Sequence, residues 1–363
     1  MIVSLVRSYE EFLSLEDGWN SLWQSACPDN VFLHFDWIRS FIEAFDVQDG
    51  LYILLQRQEQ QITAVLPLQI GENQVLQMLG APRSDYADLI CTDEHFSSAV
   101  TGLFDFLFTR KDWRQLKISE LSERSRLYQH RSELEKSGFY ANWEASSRCP
   151  GIRFSEDGDV LTRLTGKKSL KRRENGLARH GLVDFRVLTS WEDIEPIIDV
   201  FFEQHIARWR MAGHESQYHD KSERKFCRLY LRRFLDKGLL HFSVLYCDDI
   251  AMAIHIGFET EKVFVWYKPT FDIQYKRLSP GEVLIKRLLE HCGAAEIEYF
   301  DFARGVEQFK RRFSNVIYRN FNLIVFARTG DQLWFRLKSV AVGRVNRVRR
   351  HLAKSGRQSP AVN

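Results

Sequence analysis

The chain has 363 residues, 44% of them hydrophobic, and a formal net charge of +3. This length and apolar content exclude a disordered chain and predict two globular domains. The six cysteines are widely spaced and form no C-x-x-C pair, which argues against a disulfide framework or a zinc motif and favours a reducing compartment.

The first half is predicted to contain helices, three antiparallel strands, a helix and further strands. Runs rich in Leu, Phe and Trp indicate the helices, and short apolar runs separated by polar turns indicate the strands. The predicted elements are helices at 9–24 and 34–46, strands at 51–56, 62–70 and 75–79, a helix at 95–109, a strand at 115–121, a helix at 124–137, and strands near 139–145 and 150–154.

The second half shows the same order of elements. They are a basic helix at 162–180, a strand at 183–188, helices at 191–210 and 222–237, strands at 239–247, 250–258 and 262–268, a helix at 280–293, a strand at 297–302, a helix at 304–313 and a last strand at 317–327. The shared order predicts a duplicated α/β fold built on a mixed sheet. We divide the chain into residues 1–155, 156–330 and a tail at 331–363.

The start of the helix at 280–293 is a candidate anion site. Ser279 is predicted to be its N-cap, Pro280 fits the first helical position, and Glu282 completes an S-x-x-E capping box. The first-turn backbone N–H groups near Gly281 would favour a phosphate. The alternative is a capped helix with only a structural role, and the charge of Glu282 opposes an anion unless it is turned away.

The strand before the next helix ends on a carboxylate. The run Glu296–Phe302 alternates like a half-buried strand, and Asp301 stands at its end with Arg304 close behind. A carboxylate at this position could accept a proton beside the helix start, and we expect both to face one cleft. The alternative is that Asp301 is simply paired with Arg304.

Several motifs in the second half resemble the GCN5-related N-acetyltransferase (GNAT) superfamily. They are SLKRRENGLARHG at 169–181, ARW at 207–209, YKPTFD at 267–272, SPGEVL at 279–284 and YFDFARGVEQFKRRFS at 299–314. Their wording is similar to the BioF2-like, CelD-like branch, which is related to the Fem aminoacyl transferases. The resemblance implies tandem acetyltransferase-like domains with three α-β-α layers, the second half being catalytic and the first non-catalytic.

The resemblance also implies acyl transfer from acetyl-CoA or another acyl-CoA to an amine, without a metal. The superfamily's pyrophosphate loop falls on Lys276, Arg277, Ser279 and Gly281, although this chain has one glycine and a proline where the superfamily has two small residues. Phe309 stands where related enzymes often place a tyrosine that protonates the leaving thiolate. Tyr267, Tyr275 or Tyr299 would have to replace it, or the thiolate leaves unassisted.

An amine acceptor must lose a proton before it attacks, so one base within reach is required. Asp301 is our first choice for this base and His255, inside a predicted strand, is the second. The candidate substrate contacts are Arg208, Trp209, Arg304 and Lys310. A structural role is the alternative for each, and a strand histidine is usually a satisfied core residue.

Two basic segments suggest partners, whereas one histidine pair has the wrong spacing for a zinc motif. The helix with Lys167, Lys168, Lys171, Arg172 and Arg173 could bind tRNA or CoA phosphates, or simply be solvated. From Gln332 onward the tail has eight Lys or Arg and no acidic residue, which suits an anionic membrane surface, an acidic partner, or packing on the body. His214 and His219 are five residues apart, which does not fit a zincin helix.

The leading hypothesis is a cytoplasmic acyl-CoA-dependent N-acyltransferase without a nucleic-acid partner. The resemblance implies that its acceptor is an amino sugar or amino acid in envelope or exopolysaccharide biosynthesis. The alternatives are a Fem-like transferase that uses aminoacyl-tRNA and a non-catalytic scaffold of polysaccharide machinery. A short apolar start without a signal-peptide core and the absence of an apolar run long enough to span a bilayer predict a cytoplasmic protein, with peripheral attachment at the inner membrane as the alternative.

Overall fold

The structure is a computed structural model that describes residues 1–136, 141–155 and 158–327. Its helices are α1 (Tyr9–Leu13), α2 (Glu16–Ala26), α3 (Phe35–Phe45), α4 (Phe96–Thr109), α5 (Arg126–Gln129), α6 (Arg131–Lys136), α7 (Val160–Thr165), α8 (Lys168–Leu177), α9 (Trp191–Met211), α10 (Lys221–Asp236), α11 (Pro280–Ala294) and α12 (Gln308–Phe313).

The described residues form thirteen strands. They are β1 (Ile2–Val6), β2 (Leu51–Gln58), β3 (Gln61–Ile70), β4 (Val75–Met78), β5 (Ile90–Cys91), β6 (Gln115–Ser122), β7 (Ala141–Arg153), β8 (Val183–Leu188), β9 (Leu240–Cys247), β10 (Ile250–Glu259), β11 (Val263–Phe271), β12 (Tyr299–Asp301) and β13 (Val316–Phe326). They join in one mixed sheet in the order β1-β2-β3-β4-β6-β13-β7-β12-β11-β10-β9-β8, with β5 paired to β3.

The two halves exchange their last strands. β7, the end of the first half, pairs antiparallel with β12, and Phe300 faces Ile152. β13, the end of the second half, pairs antiparallel with β6, and Leu323 faces Ile118. β7 and β13 also pair with each other, so the sheet runs through both halves without a break.

In each half, two parallel strands pair over three positions and then separate. β11 and β12 pair from Val263–Tyr299 to Val265–Asp301, after which β11 continues to Phe271 without β12, paired on its other edge with β10. β4 and β6 make the corresponding pairing in the first half, which ends at Gln77–Lys117. Ligands of α/β sheets bind at the carboxyl ends of parallel strands, so both points of divergence are candidate sites.

The two faces of the sheet near β12 belong to different cores. Phe264, Trp266 and Phe300 pack with α7, α8 and α11. Val265 and Tyr299 belong to the core that also holds α1–α4, α9 and α10. Because neighbouring strand residues point to opposite faces, this alternation decides which way each site residue points.

The order of elements confirms the α/β fold expected from the sequence, with local differences. The predicted helix at 162–180 is divided into α7 and α8, and the two strands near 139–154 form the single strand β7. Among the described residues, no helix is both long enough and apolar enough to cross a bilayer. The division at 155 stays a prediction, and the basic tail at 331–363 lies outside the described residues.

Candidate active site

A cavity of about 250 Å³ opens at the N-terminal end of α11, on the α11 face of the diverging strands. β11 provides one wall, α11 a second, and α9 and α12 contribute one side chain each. The lining residues are Arg208, Trp266, Pro269, Thr270, Phe271, Lys276, Ser279, Pro280, Gly281, Glu282, Leu284, Ile285 and Phe309. We call this space the α11 cavity.

Three polar side chains that line the α11 cavity have buried atoms without a hydrogen-bond partner. They are Nε of Arg208, Nε1 of Trp266 and Oγ1 of Thr270. Trp266 is 3% exposed and Thr270 2% exposed. Buried polar groups in native proteins are nearly always hydrogen-bonded to protein, water or ligand, so these three groups are available to bind a ligand with hydrogen-bond acceptors or water.

The start of α11 differs from the predicted capping box. Ser279 is the N-cap residue, but it has a left-handed backbone with φ of 55° and its side chain makes no cap hydrogen bond. The Glu282 side chain does not reach back to Ser279, because its carboxylate is paired with Arg173 and Arg312. Nη2 of Arg312 lies 2.7 Å from Oε2 of Glu282. These two arginines compensate its charge and remove the objection to an anion at this helix start.

The residues of the predicted phosphate loop lie mostly at the α11 cavity. Lys276, Ser279 and Gly281 line it, whereas Arg277 is exposed beside it on the preceding 3-10 turn. The Nζ atom of Lys276 lies 3.7 Å from the sulfur of Met211. A Cβ atom on Gly281 would come no closer than 3.6 Å to Phe271, so the site has room for a side chain that projects toward a ligand.

Asp301 lies in a different cavity, of about 320 Å³, on the opposite face of the sheet. The Tyr86 hydroxyl donates to it at 2.9 Å, and the Ala303 N–H donates at 2.8 Å. Burial raises the pKa of Asp301 to about 6, despite these two hydrogen bonds, which lower it. Tyr299 and Arg124 line the same space, which we call the Asp301 cavity.

The expectation that the helix start and Asp301 share one cleft is therefore wrong. Phe300 points toward α11, so its neighbour Asp301 in the same strand points away from it. The divergence of β11 and β12 begins at the pair Val265–Asp301, so the two cavities lie on either side of the gap between these strands. A group transferred between ligands in the α11 cavity and the Asp301 cavity would have to pass between the diverging strands.

Arg304 joins the second half to the first, Lys310 contacts Arg304 from within the second half, and neither side chain lines the α11 cavity or the Asp301 cavity. The Arg304 guanidinium is paired with the Asp85 carboxylate, and its Nη1 atom lies 3.6 Å from Oε1 of Glu120. Its Nη2 atom donates to the Pro82 carbonyl at 2.9 Å. Arg304 closes a third cavity, of about 360 Å³, at the divergence of β4 and β6. Lys310 is buried and donates to the Arg304 carbonyl at 2.6 Å. The alternative in which Asp301 is simply paired with Arg304 is wrong, because Arg304 is paired with Asp85.

Two further predicted catalytic residues are also placed elsewhere. His255 is fully buried, stacks on Trp266 at a ring distance of 4.5 Å and lines neither the α11 cavity nor the Asp301 cavity; burial holds its pKa well below the usual value. The Tyr267 hydroxyl lies on the face opposite α11 and donates to the Arg83 carbonyl at 3.0 Å. Neither side chain reaches the α11 cavity.

Arg208 reaches the α11 cavity, whereas the neighbouring Trp209 stacks on His205 at a ring distance of 5.4 Å and is 36% exposed. Sequence reasoning missed Thr270 and Trp266. Thr270 lies inside the recognised run YKPTFD, and its position between apolar residues in a strand was the available signal.

Residues 165–311 match the family model described as "Acetyltransferase (GNAT) domain". This segment is an acyltransferase domain of the GNAT type, as the resemblance implied. The sequence has no match among curated proteins.

Solved structures share the fold across nearly the whole chain. FemX matches with a TM-score of 0.64 and 8% identity, covering 92% of this chain and 99% of FemX. L-PGS from Bacillus licheniformis matches with a TM-score of 0.54 and 9% identity, covering 85% and 96%. A conserved protein of unknown function from Bacteroides thetaiotaomicron matches with a TM-score of 0.57 and 12% identity, covering 89% and 100%.

Proposed function

We propose, with the GNAT acyltransferase domain as the premise, that this chain transfers an acyl group from an acyl-CoA to a primary amine. The observation that carries the proposal is the divergence of β11 and β12, with unpartnered hydrogen-bond donors on one face and the Asp301 carboxylate on the other. The donor would bind in the α11 cavity and the acceptor in the Asp301 cavity.

The α11 cavity fits the chemistry of an acyl-CoA. The phosphates and amide carbonyls of an acyl-CoA are hydrogen-bond acceptors. The unpartnered groups of Arg208, Trp266 and Thr270 can donate hydrogen bonds to them. Lys276 and the N-terminal end of α11 supply positive potential for the phosphates. Phe271, Leu284 and the other apolar lining residues would contact the pantetheine chain. Bound there, the donor supplies an activated thioester.

The Asp301 cavity suits a polar acceptor that carries an amine. With a pKa of about 6, Asp301 is mostly ionised at neutral pH and close enough to neutrality to accept a proton efficiently. Tyr86, Tyr299 and Tyr318 contribute aromatic rings to this cavity, a lining that suits a sugar ring. An amino sugar or amino acid of envelope or exopolysaccharide biosynthesis therefore stays our proposed acceptor, together with the assignment to the BioF2-like, CelD-like branch.

In this proposal the amine loses its proton to Asp301, directly or through a water molecule, and reaches the donor through the gap between the strands. Phe309 lines the α11 cavity and has no proton to give, and the Tyr267 hydroxyl lies outside it. The thiolate would then leave without a tyrosine acid, and the Thr270 hydroxyl is the buried donor in this cavity that could stabilise it.

Calorimetric titration with acetyl-CoA tests the donor site. We expect saturable binding by the unaltered protein and its loss in Gly281→Asp, because an added carboxylate would repel the phosphates at the helix start. Gly158→Asp is the matched control, since Gly158 is exposed with open space around it. Absence of binding by the unaltered protein would reject acyl-CoA as the donor, and equal binding by both variants would reject the start of α11 as the phosphate site.

A second candidate donor is aminoacyl-tRNA, which the resemblance to Fem transferases suggests. The fold likeness to FemX favours it, as does a basic cluster in which Lys167, Arg173 and Arg312 lie around the start of α8. A tRNA user should bind tRNA with an affinity that falls steeply with salt, and Lys171→Glu with Arg172→Glu should remove that binding. Salt-independent weak binding would reject this donor.

The non-catalytic alternative is a scaffold. An Asp301→Asn variant that folds normally would lose the activity of an enzyme, whereas a scaffold would retain its cellular function in this variant. The proposed docking of the basic tail on an anionic membrane or an acidic partner is tested by removing residues 331–363 and measuring vesicle binding.

A further inference from the structure

Three side chains with metal-binding atoms meet near the C-terminal end of α11. His241 comes from β9, Glu259 is the last residue of β10, and His291 lies in the last turn of α11. One candidate ligand atom from each residue lies within 4.8 Å of the other two. Nε2 of His291 lies 2.7 Å from Oε2 of Glu259, and Nε2 of His241 lies 3.9 Å from the same oxygen.

Hydrogen bonding within the protein does not account for this cluster. His241 is 2% exposed, and neither of its ring nitrogens has a hydrogen-bond partner. The contact between His291 and Glu259 satisfies those two residues and leaves His241 unpartnered. A buried imidazole without a partner loses the hydration of both nitrogens without compensation, so its environment needs an additional group.

We propose that His241, Glu259 and His291 bind a divalent transition-metal ion, with Zn²⁺ as the expected occupant. Two imidazole nitrogens and one carboxylate oxygen form a donor set that zinc prefers, and the fourth position of a tetrahedral site would be taken by water. The site is separate from both proposed substrate cavities, and nothing in the acyl-transfer proposal requires it.

The geometry needs only small side-chain rotations to accept the ion. Zinc–ligand bonds of about 2.0–2.2 Å in a tetrahedron place ligand atoms roughly 3.3–3.5 Å apart. The separation of 2.7 Å between His291 and Glu259 is shorter than this spacing, and the separation of 3.9 Å between His241 and Glu259 is longer. The side chains of Glu259 and His291 are 27% and 28% exposed, which leaves a path for the ion and for water.

The immediate surroundings of the cluster are aromatic rings. The His241 ring lies 6.1 Å from the ring of His255 and 4.8 Å from the ring of Phe264, measured between ring centroids.

The expected role of the ion is structural. It would tie the last turn of α11 to β9 and β10. Gly281 and His291 are separated by about 15 Å of helix, at 1.5 Å per residue, so an ion bound at this end lies away from the α11 cavity.

Titration of metal-free protein with Co²⁺, followed by visible absorption, tests the proposal. We expect one equivalent to bind with the intense absorption of a tetrahedral site, Zn²⁺ to displace it, and His291→Ala and Glu259→Gln to weaken binding at least 100-fold. His180→Ala, at an exposed histidine outside the cluster, is the matched control and should bind as the unaltered protein does. Absence of saturable absorption, or equal binding by His291→Ala, would overturn the proposal.

Both altered residues lie at the partly exposed rim, so their metal-free forms should fold, which circular dichroism checks. X-ray absorption on the zinc-loaded unaltered protein gives an answer that does not depend on any variant. A nitrogen and oxygen shell with two imidazoles is expected, and a shell containing sulfur would overturn the proposal.

Discussion

The hydroxyl of Tyr86 donates a 2.9 Å hydrogen bond to Asp301, so the first half of the chain adjusts the carboxylate that the second half supplies. This bond favours the ionised form and lowers the pKa of Asp301 against the opposing effect of burial. Removing it in Tyr86→Phe should raise that pKa above its value of about 6. The acidic limb of the kcat/KM profile should then move to higher pH, because activity requires ionised Asp301.

The matched control for this shift is Tyr318→Phe. Tyr318 lines the same cavity, but its hydroxyl accepts a hydrogen bond from Arg153 at 2.6 Å and does not contact Asp301. The acidic limb of the kcat/KM profile of Tyr318→Phe should lie at the same pH as in the unaltered protein. A Tyr86→Phe profile that superimposes on that of the unaltered enzyme would remove Asp301 from the role of base.

Asp301→Asn should abolish acyl transfer and stabilise the fold at neutral pH. Asp301 has a pKa of about 6 in the folded protein and 3.8 as the reference value, so the folded state binds its proton more tightly than the unfolded state. Ionising this carboxylate therefore lowers the stability of the unaltered protein as the pH rises from about 4 to about 6. The variant has no such loss, so its advantage should reach up to about 3 kcal/mol above pH 6 and disappear below pH 4.

Chemical denaturation of both proteins at several pH values measures this difference. Asp301→Asn keeps an oxygen that can accept from Tyr86 and Ala303, so its packing should be preserved. A variant that is less stable than the unaltered protein at pH 8 would contradict the assigned direction of the pKa shift.

Thr270→Val should weaken acetyl-CoA binding and stabilise the protein. The substitution preserves shape and removes a buried hydroxyl that has no partner within the protein, a change that commonly gains about 1 kcal/mol. If that hydroxyl bonds the donor, the dissociation constant should rise by roughly tenfold, which corresponds to about 1.4 kcal/mol. Calorimetry and thermal unfolding measure the two effects.

Thr63→Val is the matched control for Thr270→Val. Thr63 is equally buried, but its hydroxyl donates to the Gln56 carbonyl at 3.3 Å. Its replacement should destabilise the protein by about 1 kcal/mol and leave acetyl-CoA affinity unchanged. Equal effects of the two substitutions on stability would mean that the Thr270 hydroxyl does find a partner in the unliganded protein.

Glu282→Gln should tighten acetyl-CoA binding. It removes the negative charge at the start of α11 and frees Arg173 and Arg312 to face the phosphates. We expect a severalfold lower dissociation constant and a steeper dependence on salt. Glu298→Gln, at an exposed pair with Lys262, is the control and should change neither quantity. Weaker binding by Glu282→Gln would place the phosphates away from this helix start.

Arg304→Met should destabilise the whole protein. Asp85 is 7% exposed, and removing its arginine partner leaves a buried charge uncompensated, which costs about 3–5 kcal/mol. The double variant Arg304→Met with Asp85→Asn should recover much of that loss. Arg186→Met, at an exposed pair with Asp184, should leave the stability almost unchanged, because solvent screens that pair. Equal losses for both arginine variants in urea denaturation would show that the Arg304 pair is not important for joining the halves.

The sequence predicted the elements well where the signal is local. Strand β8 and helices α9, α10 and α11 begin and end within one or two residues of the predicted bounds, because caps, charged turns and apolar periodicity mark them. Three residues that the GNAT resemblance assigned to a phosphate loop, Lys276, Ser279 and Gly281, line the α11 cavity, and their role in binding a phosphate stays a prediction.

Long-range relationships could not be predicted in the same way. Whether Asp301 faces α11 depends on the register of a three-residue strand, and a shift of one position reverses the face. Glu282 was assigned to its own helix start, but Arg173 and Arg312 compete for it from elements far away in the sequence. The histidine cluster was missed because its members are distributed over 50 residues without a recognisable spacing.

The exchange of β7 and β13 has a consequence for synthesis on the ribosome. When β6 emerges, its neighbour β13 is still about 200 residues from being made, and translation at 5–20 residues per second delays it by roughly 10–40 s. During that time the edge of β6 that β13 will later cover has no partner strand, so it can pair with other chains. Slow elongation through the second half should therefore increase aggregation of this protein, and a chaperone that shields β6 should reduce it.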